Sequence, residues 1–222
     1  MSMRAPNWIT TRQYLLFEQA ARVKHEYRGG HVFPLGDPYT PVDTAVVIGQ
    51  RPEPFVAMAG ASDTHVTIVQ NLVVLIRPHL GAGPCRLYST DMRVETATGD
   101  YLYPDLVVTC DERDLQDPLM KRNPALIIEV LSPSTEGYDR GEKFDAFAAT
   151  PSLMEYVLVS TRDQRVEIWI RREGRWERTT YLPPATVPFT TINLHASFET
   201  LYLGVQWGPR LLSTDKGDET EP

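Results

Sequence analysis

One acidic residue stands where the sequence otherwise predicts a dry strand. Glu129 lies inside the apolar run 125–131, Ala-Leu-Ile-Ile-Glu-Val-Leu, and such a run is typical of a strand buried on both faces. A buried carboxylate is costly unless it has a partner charge, a proton or a metal ion. The sequence therefore leaves two interpretations of Glu129 open: it pairs with a buried arginine or lysine, or it binds a metal.

A second acid, Asp105, occupies a similar place 24 residues earlier. It follows Tyr103 and Pro104 and precedes the apolar run 106–108. This separation fits two neighbouring strands that are joined by an excursion of the chain. Two carboxylates at matching heights on adjacent strands are suited to a hard divalent cation, so Asp105 and Glu129 are the predicted metal ligands.

Lys143 lies on the helix that is predicted to follow the Glu129 strand. Asp139 and Lys143 are four residues apart and therefore share a helical face. Either they form an exposed ion pair, or Lys143 reaches back over the strand ends. In the second case its ammonium would lie within a hydrogen bond, direct or through one water, of Glu129 or Asp105. A lysine so placed could orient an attacking water or stabilise charge on a phosphate.

Three further residues are candidates for the same site. His65 shares a face of its predicted helix with apolar residues, so it is either a hydrogen-bonded packing residue or a site residue near the metal. Glu26, on a predicted N-terminal hairpin, is either a third acid of the site or a solvated strand residue. Asp91, on the strand predicted before Asp105, could hold a second metal or orient the ligands of the first.

These residues must be positioned by alternating strands and helices. The hydrophobic periodicity and the turn residues predict the following elements: a helix at 10–23, a hairpin at 24–33, a loop at 34–54 with one edge strand at 45–48, a helix at 62–80, strands at 86–95 and 101–110 with a turn at 97–100, a strand at 125–131, a helix at 136–150, and strands at 153–160, 165–172 and 176–182. Segments 125–131 and 153–160 are predicted to be adjacent parallel strands that the helix between them joins by a right-handed crossover.

Composition and charge exclude several classes of protein. The chain has 222 residues, 42% of them hydrophobic, and a net charge of −7, which argues against a module that holds nucleic acid through a broad basic surface. No apolar stretch is long enough to span a membrane, and residues 1–10 lack the pattern of a signal peptide. Cys85 and Cys110 are expected to be buried free thiols, and the protein is expected in the cytoplasm.

Several segments together resemble a known family. The resemblance covers about residues 10–205 and is carried by Pro104-Asp105, by 128–135 (Ile-Glu-Val-Leu-Ser-Pro-Ser-Thr), by 139–143 (Asp-Arg-Gly-Glu-Lys), by 155–159 (Glu-Tyr-Val-Leu-Val), and by the segments 26–30 and 58–65. On these residues the chain resembles the Uma2 family of restriction endonucleases, which is part of the PD-(D/E)XK nuclease superfamily.

The resemblance implies a fold and a site. The expected fold is α/β (α+β), with a restriction-endonuclease-like core in which helices flank a central mixed β-sheet, and with extra β-hairpins at both ends of the chain. It implies that Asp105 and Glu129 bind the metal. The lysine of the superfamily motif would stand at position 131, which is Leu131 here; in this family it is displaced onto the following helix, which matches Lys143. We expect one domain over 1–210, a proline-rich insertion at 34–54 and a disordered tail at 211–222.

The favoured hypothesis is an endonuclease that uses Mg²⁺ or Mn²⁺ to hydrolyse phosphodiester bonds of nucleic acid, with DNA preferred as substrate. Asp105, Glu129 and Lys143 would be its catalytic residues, and His65, Glu26, Asp91 and Asp139 would be accessory. The alternative is a catalytically inactive protein that uses the nuclease fold for binding or assembly. A third possibility is a purely structural homodimer, for which the sequence contains no positive motif.

Overall fold

The computed structural model describes residues 8–50 and 61–207. In chain order the strands are β1 (His25–Arg28), β2 (His31–Pro34), β3 (Arg86–Ser89), β4 (Arg93–Glu95), β5 (Tyr101–Leu102), β6 (Leu106–Thr109), β7 (Met120–Lys121), β8 (Pro124–Val130), β9 (Glu155–Val159), β10 (Val166–Arg172), β11 (Arg175–Tyr181), β12 (Thr186–Phe189) and β13 (Leu194–Ser197). The α-helices are α1 (Thr11–Ala20), α2 (Thr44–Val47), α3 (Asp63–Leu80), α4 (Glu112–Gln116), α5 (Glu136–Arg140), α6 (Glu142–Ala148) and α7 (Phe198–Leu201), and a 3-10 helix covers Thr190–Ile192.

The larger sheet has six strands in the order β11-β10-β9-β8-β6-β3. Strands β8 and β9 are parallel, and Glu129 lies opposite Leu158. The other neighbours in this sheet are antiparallel. Because α5 and α6 connect β8 to β9, the structure confirms the predicted pair of adjacent parallel strands and the mixed α+β class.

A second sheet has five strands in the order β2-β1-β5-β4-β7, and it shows two sequence expectations to be wrong. Segments 86–95 and 101–110 are each broken into two strands that belong to different sheets. The first break is at Asp91, whose φ is +71°, and the second is at Pro104, which has no N–H to donate to a ladder. The predicted N-terminal hairpin forms as β1 and β2, and it is the edge of this second sheet rather than an appendage.

Helices cover both faces of the six-stranded sheet. Helix α3 buries Ile68, Leu72 and Ile76 against one face, and the Ser62 side chain caps its first turn by accepting a hydrogen bond from the His65 N–H. Helix α6 buries Phe144 and Phe147 against the other face. These apolar contacts fix the ends of β6 and β8, at which the candidate site lies.

Two other elements differ from the sequence expectation. The predicted edge strand at 45–48 is the short helix α2, which Asp43 caps by accepting a hydrogen bond from the Ala45 N–H. The predicted helix at 136–150 is divided into α5 and α6, because Gly141 has a non-helical backbone (φ −115°, ψ −103°). Residues 51–54 of the expected insertion and the expected tail at 211–222 lie outside the described residues. No helix of the described ranges is long and apolar enough to cross a membrane.

Cys85 and Cys110 form a disulfide, so the expectation of two free thiols is wrong. Cys85 directly precedes β3 and Cys110 directly follows β6, and these antiparallel strands place Arg86 opposite Thr109. The two cysteines therefore face each other, with their Cα atoms 3.9 Å apart. Their separation of 25 residues in the sequence gave no sign of this register.

We expect reduction of the disulfide to destabilise the fold. Opening a loop of this length increases the entropy of the unfolded chain and should lower the free energy of unfolding by about 3 kcal/mol. Urea unfolding with and without a reductant measures this change, and the double variant Cys85→Ser/Cys110→Ser should match the reduced protein. Detection of two reactive thiols in the unreduced native protein would contradict the assignment.

Candidate functional site

The antiparallel pairing of β6 with β8 brings Asp105 beside Glu129. Leu106 lies opposite Ile128 in this ladder, so Asp105, just before β6, meets Glu129, near the end of β8. The Asp105 N–H donates to Glu129 Oε2 at 3.3 Å, and the Val130 N–H donates to Asp105 Oδ2 at 2.7 Å. The prediction that the two acids occupy neighbouring strands is therefore confirmed.

Lys143 points inward and meets three carboxylates. Its Nζ lies 2.9 Å from Glu129 Oε1, 3.6 Å from Asp139 Oδ1 and 3.9 Å from Glu26 Oε1. It also donates to the Tyr103 carbonyl at 3.1 Å. We call Lys143, Glu26, Glu129 and Asp139 the Lys143 cluster. The prediction that the lysine nitrogen reaches Glu129 is confirmed, and the alternative of an exposed ion pair with Asp139 is wrong.

The Lys143 cluster is buried, since its four side chains are at most 6% exposed. Burial raises the pKa of Glu129 well above its ordinary value, despite the opposing charge of Lys143. Burial likewise raises the pKa of Asp139. Burial alone would lower the pKa of Lys143, but Glu129, Asp139 and Glu26 outweigh it and raise that pKa well above its ordinary value. The lysine is therefore charged, and the cluster has more acid than one ammonium can neutralise.

Glu26 enters the Lys143 cluster from the five-stranded sheet. Its Oε1 accepts a hydrogen bond from the Tyr103 N–H at 3.1 Å, and its Oε2 accepts one from the Tyr138 hydroxyl at 2.7 Å. The side chain is 5% exposed, so the interpretation of Glu26 as a solvated strand residue is wrong. Strand β1 thus supplies an acid to a site whose other residues come from the six-stranded sheet and its crossover helices.

Asp105 and His65 form the part of the site that solvent reaches. Their side chains are 22% and 15% exposed, and His65 Nε2 lies 3.3 Å from Asp105 Oδ2. Burial would lower the pKa of His65, but the hydrogen bond and charge of Asp105 outweigh it and raise that pKa. The helix face of His65 does point toward the sheet, and its partner there is an acid of the candidate site.

The structure does not bring Asp91 into this group. The residue lies in the bend between β3 and β4 rather than on a continuous strand, so the expected position was wrong. Its side chain is 69% exposed and pairs with Lys24 at 2.5 Å.

Sequence reasoning did not identify the two tyrosines that surround the Lys143 cluster. Tyr103 contributes its carbonyl to Lys143 and its N–H to Glu26. Tyr138 contributes its hydroxyl to Glu26 and lies beside Asp139 in the sequence. Both are neighbours of predicted site residues, which is the one signal in the sequence that points to them.

The residues of the site are better suited to a divalent cation that keeps some of its water ligands than to a cation held by protein ligands alone. In residues 8–50 and 61–207, no three His, Cys, Asp or Glu side chains are arranged to hold a metal ion. Asp105 and Glu129 nevertheless offer hard oxygen donors side by side, since the Asp105 N–H contacts Glu129 Oε2 at 3.3 Å, while Glu129 Oε1 faces the Lys143 ammonium at 2.9 Å. Mg²⁺ is ordinarily bound by one or two carboxylates and completes its shell with water and phosphate oxygens.

The mixed sheet with helices on both of its faces is a fold that this chain shares with a solved structure. A crystal structure from Anabaena variabilis, described as a "putative nuclease belonging to DUF820", matches with a TM-score of 0.60 at 17% identity, over 82% of this chain and 91% of that one. A similarity at this level of identity establishes the fold alone.

Sequence comparison defines the family. The profile of the Uma2 family, described as "Putative restriction endonuclease", matches residues 53–202. Two Synechocystis proteins, named "Uncharacterized protein slr1290" and "Uncharacterized protein sll1609", are each 31% identical to this chain. The alignments cover 89% of this chain and 93% of the first relative, and 72% of this chain and 78% of the second. The chain belongs to the Uma2 family, as the resemblance of its motifs indicated.

The excess of acid in the Lys143 cluster predicts unequal effects of two variants. Lys143→Met leaves three buried carboxylates without their cation and should lower the free energy of unfolding by about 3–5 kcal/mol. Glu129→Gln removes one acid from the excess and should be much less destabilising at pH 7. Urea unfolding of both variants in EDTA measures the difference, and a loss on Glu129→Gln as large as that on Lys143→Met would contradict it.

The stability of the protein should also depend on pH through the protonation of Glu129. Because folding raises the pKa of Glu129, the folded state binds this proton more tightly than the unfolded state does. The stability that this proton contributes is fully present at a pH below 4.5, the ordinary pKa of a glutamate. It is lost as the pH rises through the pKa of Glu129 in the folded state. We therefore expect the stability of Glu129→Gln relative to the wild type to increase as the pH rises above 4.5.

Proposed function

We propose that the protein is a metal-dependent nuclease that hydrolyses phosphodiester bonds of DNA. One observation carries this proposal: Asp105 and Glu129 lie together at the ends of neighbouring strands, and Lys143 Nζ is 2.9 Å from the Glu129 carboxylate. A pair of acids with an adjacent ammonium provides both a place for a hard cation and a fixed positive charge.

Asp105 and Glu129 would hold Mg²⁺ or Mn²⁺. Such an ion, when bound, lowers the pKa of a coordinated water and neutralises charge on the phosphate. Asp105 suits this role because its carboxylate is partly exposed and the Val130 N–H fixes its orientation. Glu129 is buried beside it, and its Oε2 accepts a hydrogen bond from the Asp105 N–H.

Lys143 would orient the attacking water and stabilise charge that develops on the phosphate. Its ammonium is held in place by Glu129, Asp139 and the Tyr103 carbonyl, so little reorganisation is needed when charge develops nearby. Leu131 occupies the place of the superfamily lysine. The geometry therefore supports Lys143, from the following helix, as the residue that supplies the missing charge.

The charge of the site supports a requirement for a cation. Glu26, Asp105, Glu129 and Asp139 provide four acids around one lysine. A phosphodiester is an anion and would be repelled by this excess. A divalent cation at Asp105 and Glu129 would reverse the balance at the point where the phosphate must approach.

The alternative function is a binding or assembly module without catalysis. One observation favours it: Glu129 already has a cationic partner in Lys143, and both side chains are buried. An ion pair of this kind could serve the fold without any metal. Metal binding and cleavage therefore separate the two functions.

We expect Mn²⁺ to bind the wild-type protein and not the variants Glu129→Gln or Asp105→Asn, because each variant removes one of two carboxylate ligands. Isothermal titration calorimetry measures the binding. Glu155→Gln is the matched control: Glu155 is also a buried glutamate, on the neighbouring strand β9, but it accepts hydrogen bonds from the Thr190 and Thr191 N–H groups instead. The control should bind Mn²⁺ as the wild type does. Equal affinity in the wild type and Glu129→Gln would show that Glu129 is not a ligand.

We expect Lys143→Met to abolish Mn²⁺-dependent cleavage of DNA while it retains Mn²⁺ binding. Loss of a fixed charge from the transition state should reduce the rate by about 100-fold or more. The matched control is Lys121→Met, because Lys121 is also buried, with its ammonium bonded to the Asp114 carbonyl at 2.6 Å. Both variants are assayed at a temperature at which circular dichroism shows them folded. Undiminished cleavage by Lys143→Met would remove the lysine from the mechanism.

A further inference from the structure

Tyr39 is an exposed aromatic residue on a well-anchored part of the insertion. Its side chain is 62% exposed. The turn that carries it is fixed by Asp37, whose Oδ1 accepts hydrogen bonds from the N–H groups of Tyr39 and Thr40, both at 3.1 Å. The Val42 N–H then donates to the Val32 carbonyl of β2 at 2.7 Å. The ring is therefore presented to solvent from a defined backbone.

The same turn is tied to the candidate site through Arg28. The Arg28 guanidinium lies between the Phe33 ring, 3.8 Å from its centroid, and the Tyr138 ring, 4.4 Å from its centroid. It also donates to the Pro38 carbonyl. Tyr138 in turn donates to Glu26 of the Lys143 cluster. A continuous series of contacts thus connects Pro38, the residue before Tyr39, to the buried carboxylate of Glu26.

Tyr39 itself meets the helix that carries Asp139. A Cβ atom added at Gly137 would lie 3.4 Å from the Tyr39 hydroxyl, so the phenol rests close to the backbone of α5. Asp139 is two residues further along and is in contact with Lys143. The exposed ring is therefore held beside α5, the helix that supplies Asp139 to the Lys143 cluster.

We propose that Tyr39 is a stacking platform for an unpaired nucleobase of the substrate. This inference rests on the proposed nuclease function and specifies the substrate: nucleic acid with a base that is free to leave its stack. The chain has a net charge of −7, so a broad ionic attraction to phosphates is not expected of it. Stacking on an aromatic ring needs no charge and is available to every base.

The rigidity of the turn supports this role. A nucleobase gains most from a ring that is already in place, because no ordering of the loop accompanies binding. The turn of Tyr39 is ordered by Asp37 and by Arg28 before any ligand arrives. A base paired and stacked within a duplex offers its edges rather than its face, so the platform favours single-stranded or unpaired positions.

The test compares affinities for a single-stranded DNA oligonucleotide and for its duplex. Fluorescence anisotropy is measured in Mg²⁺, with phosphorothioate linkages to prevent hydrolysis. We expect Tyr39→Ala to weaken binding of the single strand by about 5- to 150-fold, Tyr39→Phe to bind as the wild type does, and the duplex affinity to change much less. Trp207→Ala is the control, since Trp207 is another exposed aromatic residue, packed beside Tyr202.

Other results of the same experiment would show whether the stacking role of Tyr39 or the nuclease function itself is wrong. Stacking is not ionic, so the fold-loss on Tyr39→Ala should be the same at low and at high salt. If the wild type binds the single strand and Tyr39→Ala binds it equally well, the platform is wrong and the nuclease proposal stands. Equal losses for single strand and duplex would also overturn it. If the wild type binds neither oligonucleotide, the proposed function fails and the inference falls with it.

Discussion

Lys143 brings one positive charge into a closed space that also holds the carboxylates of Glu26, Glu129 and Asp139. Charges of either sign are excluded from a protein interior unless opposite charges accompany them, so the positions of these four side chains are mutually dependent. The lysine needs the acids in order to be buried, and the acids need the lysine. The acids of the cluster outnumber the lysine three to one, and Asp105 adds a fourth acid on the side that reaches solvent.

This constraint also explains why two sheets meet at the site. Glu26 belongs to the five-stranded sheet, whereas Glu129 belongs to the six-stranded sheet. The chain passes between the sheets at Asp91 and again at Pro104, and the second passage places the Tyr103 carbonyl and N–H between Lys143 and Glu26. The interruptions of the predicted strands therefore have a consequence for the site: they carry the backbone of Tyr103 into the Lys143 cluster.

Much of this arrangement could be predicted from the sequence because it depends on local patterns. An acid in an apolar strand identified Glu129, and the parallel pair around it followed from two apolar runs separated by a helix. Other features depend on the register between distant segments, which periodicity does not contain. The Cys85–Cys110 disulfide is one, and the hydrogen bond from Tyr138 to Glu26, 112 residues apart, is another. The division of the crossover helix at Gly141 could have been expected from the glycine, which is a poor helix former.

We propose that Asp105 and Glu129, with Lys143 beside them, form a cation site. Anomalous diffraction from crystals soaked in Mn²⁺ tests it most directly, because the signal identifies the position of the metal as well as its presence. We expect an anomalous peak within coordination distance of oxygens from both carboxylates, with Lys143 still adjacent to Glu129. Crystals that show no such peak at saturating Mn²⁺, or a peak that contacts neither Asp105 nor Glu129, would contradict it.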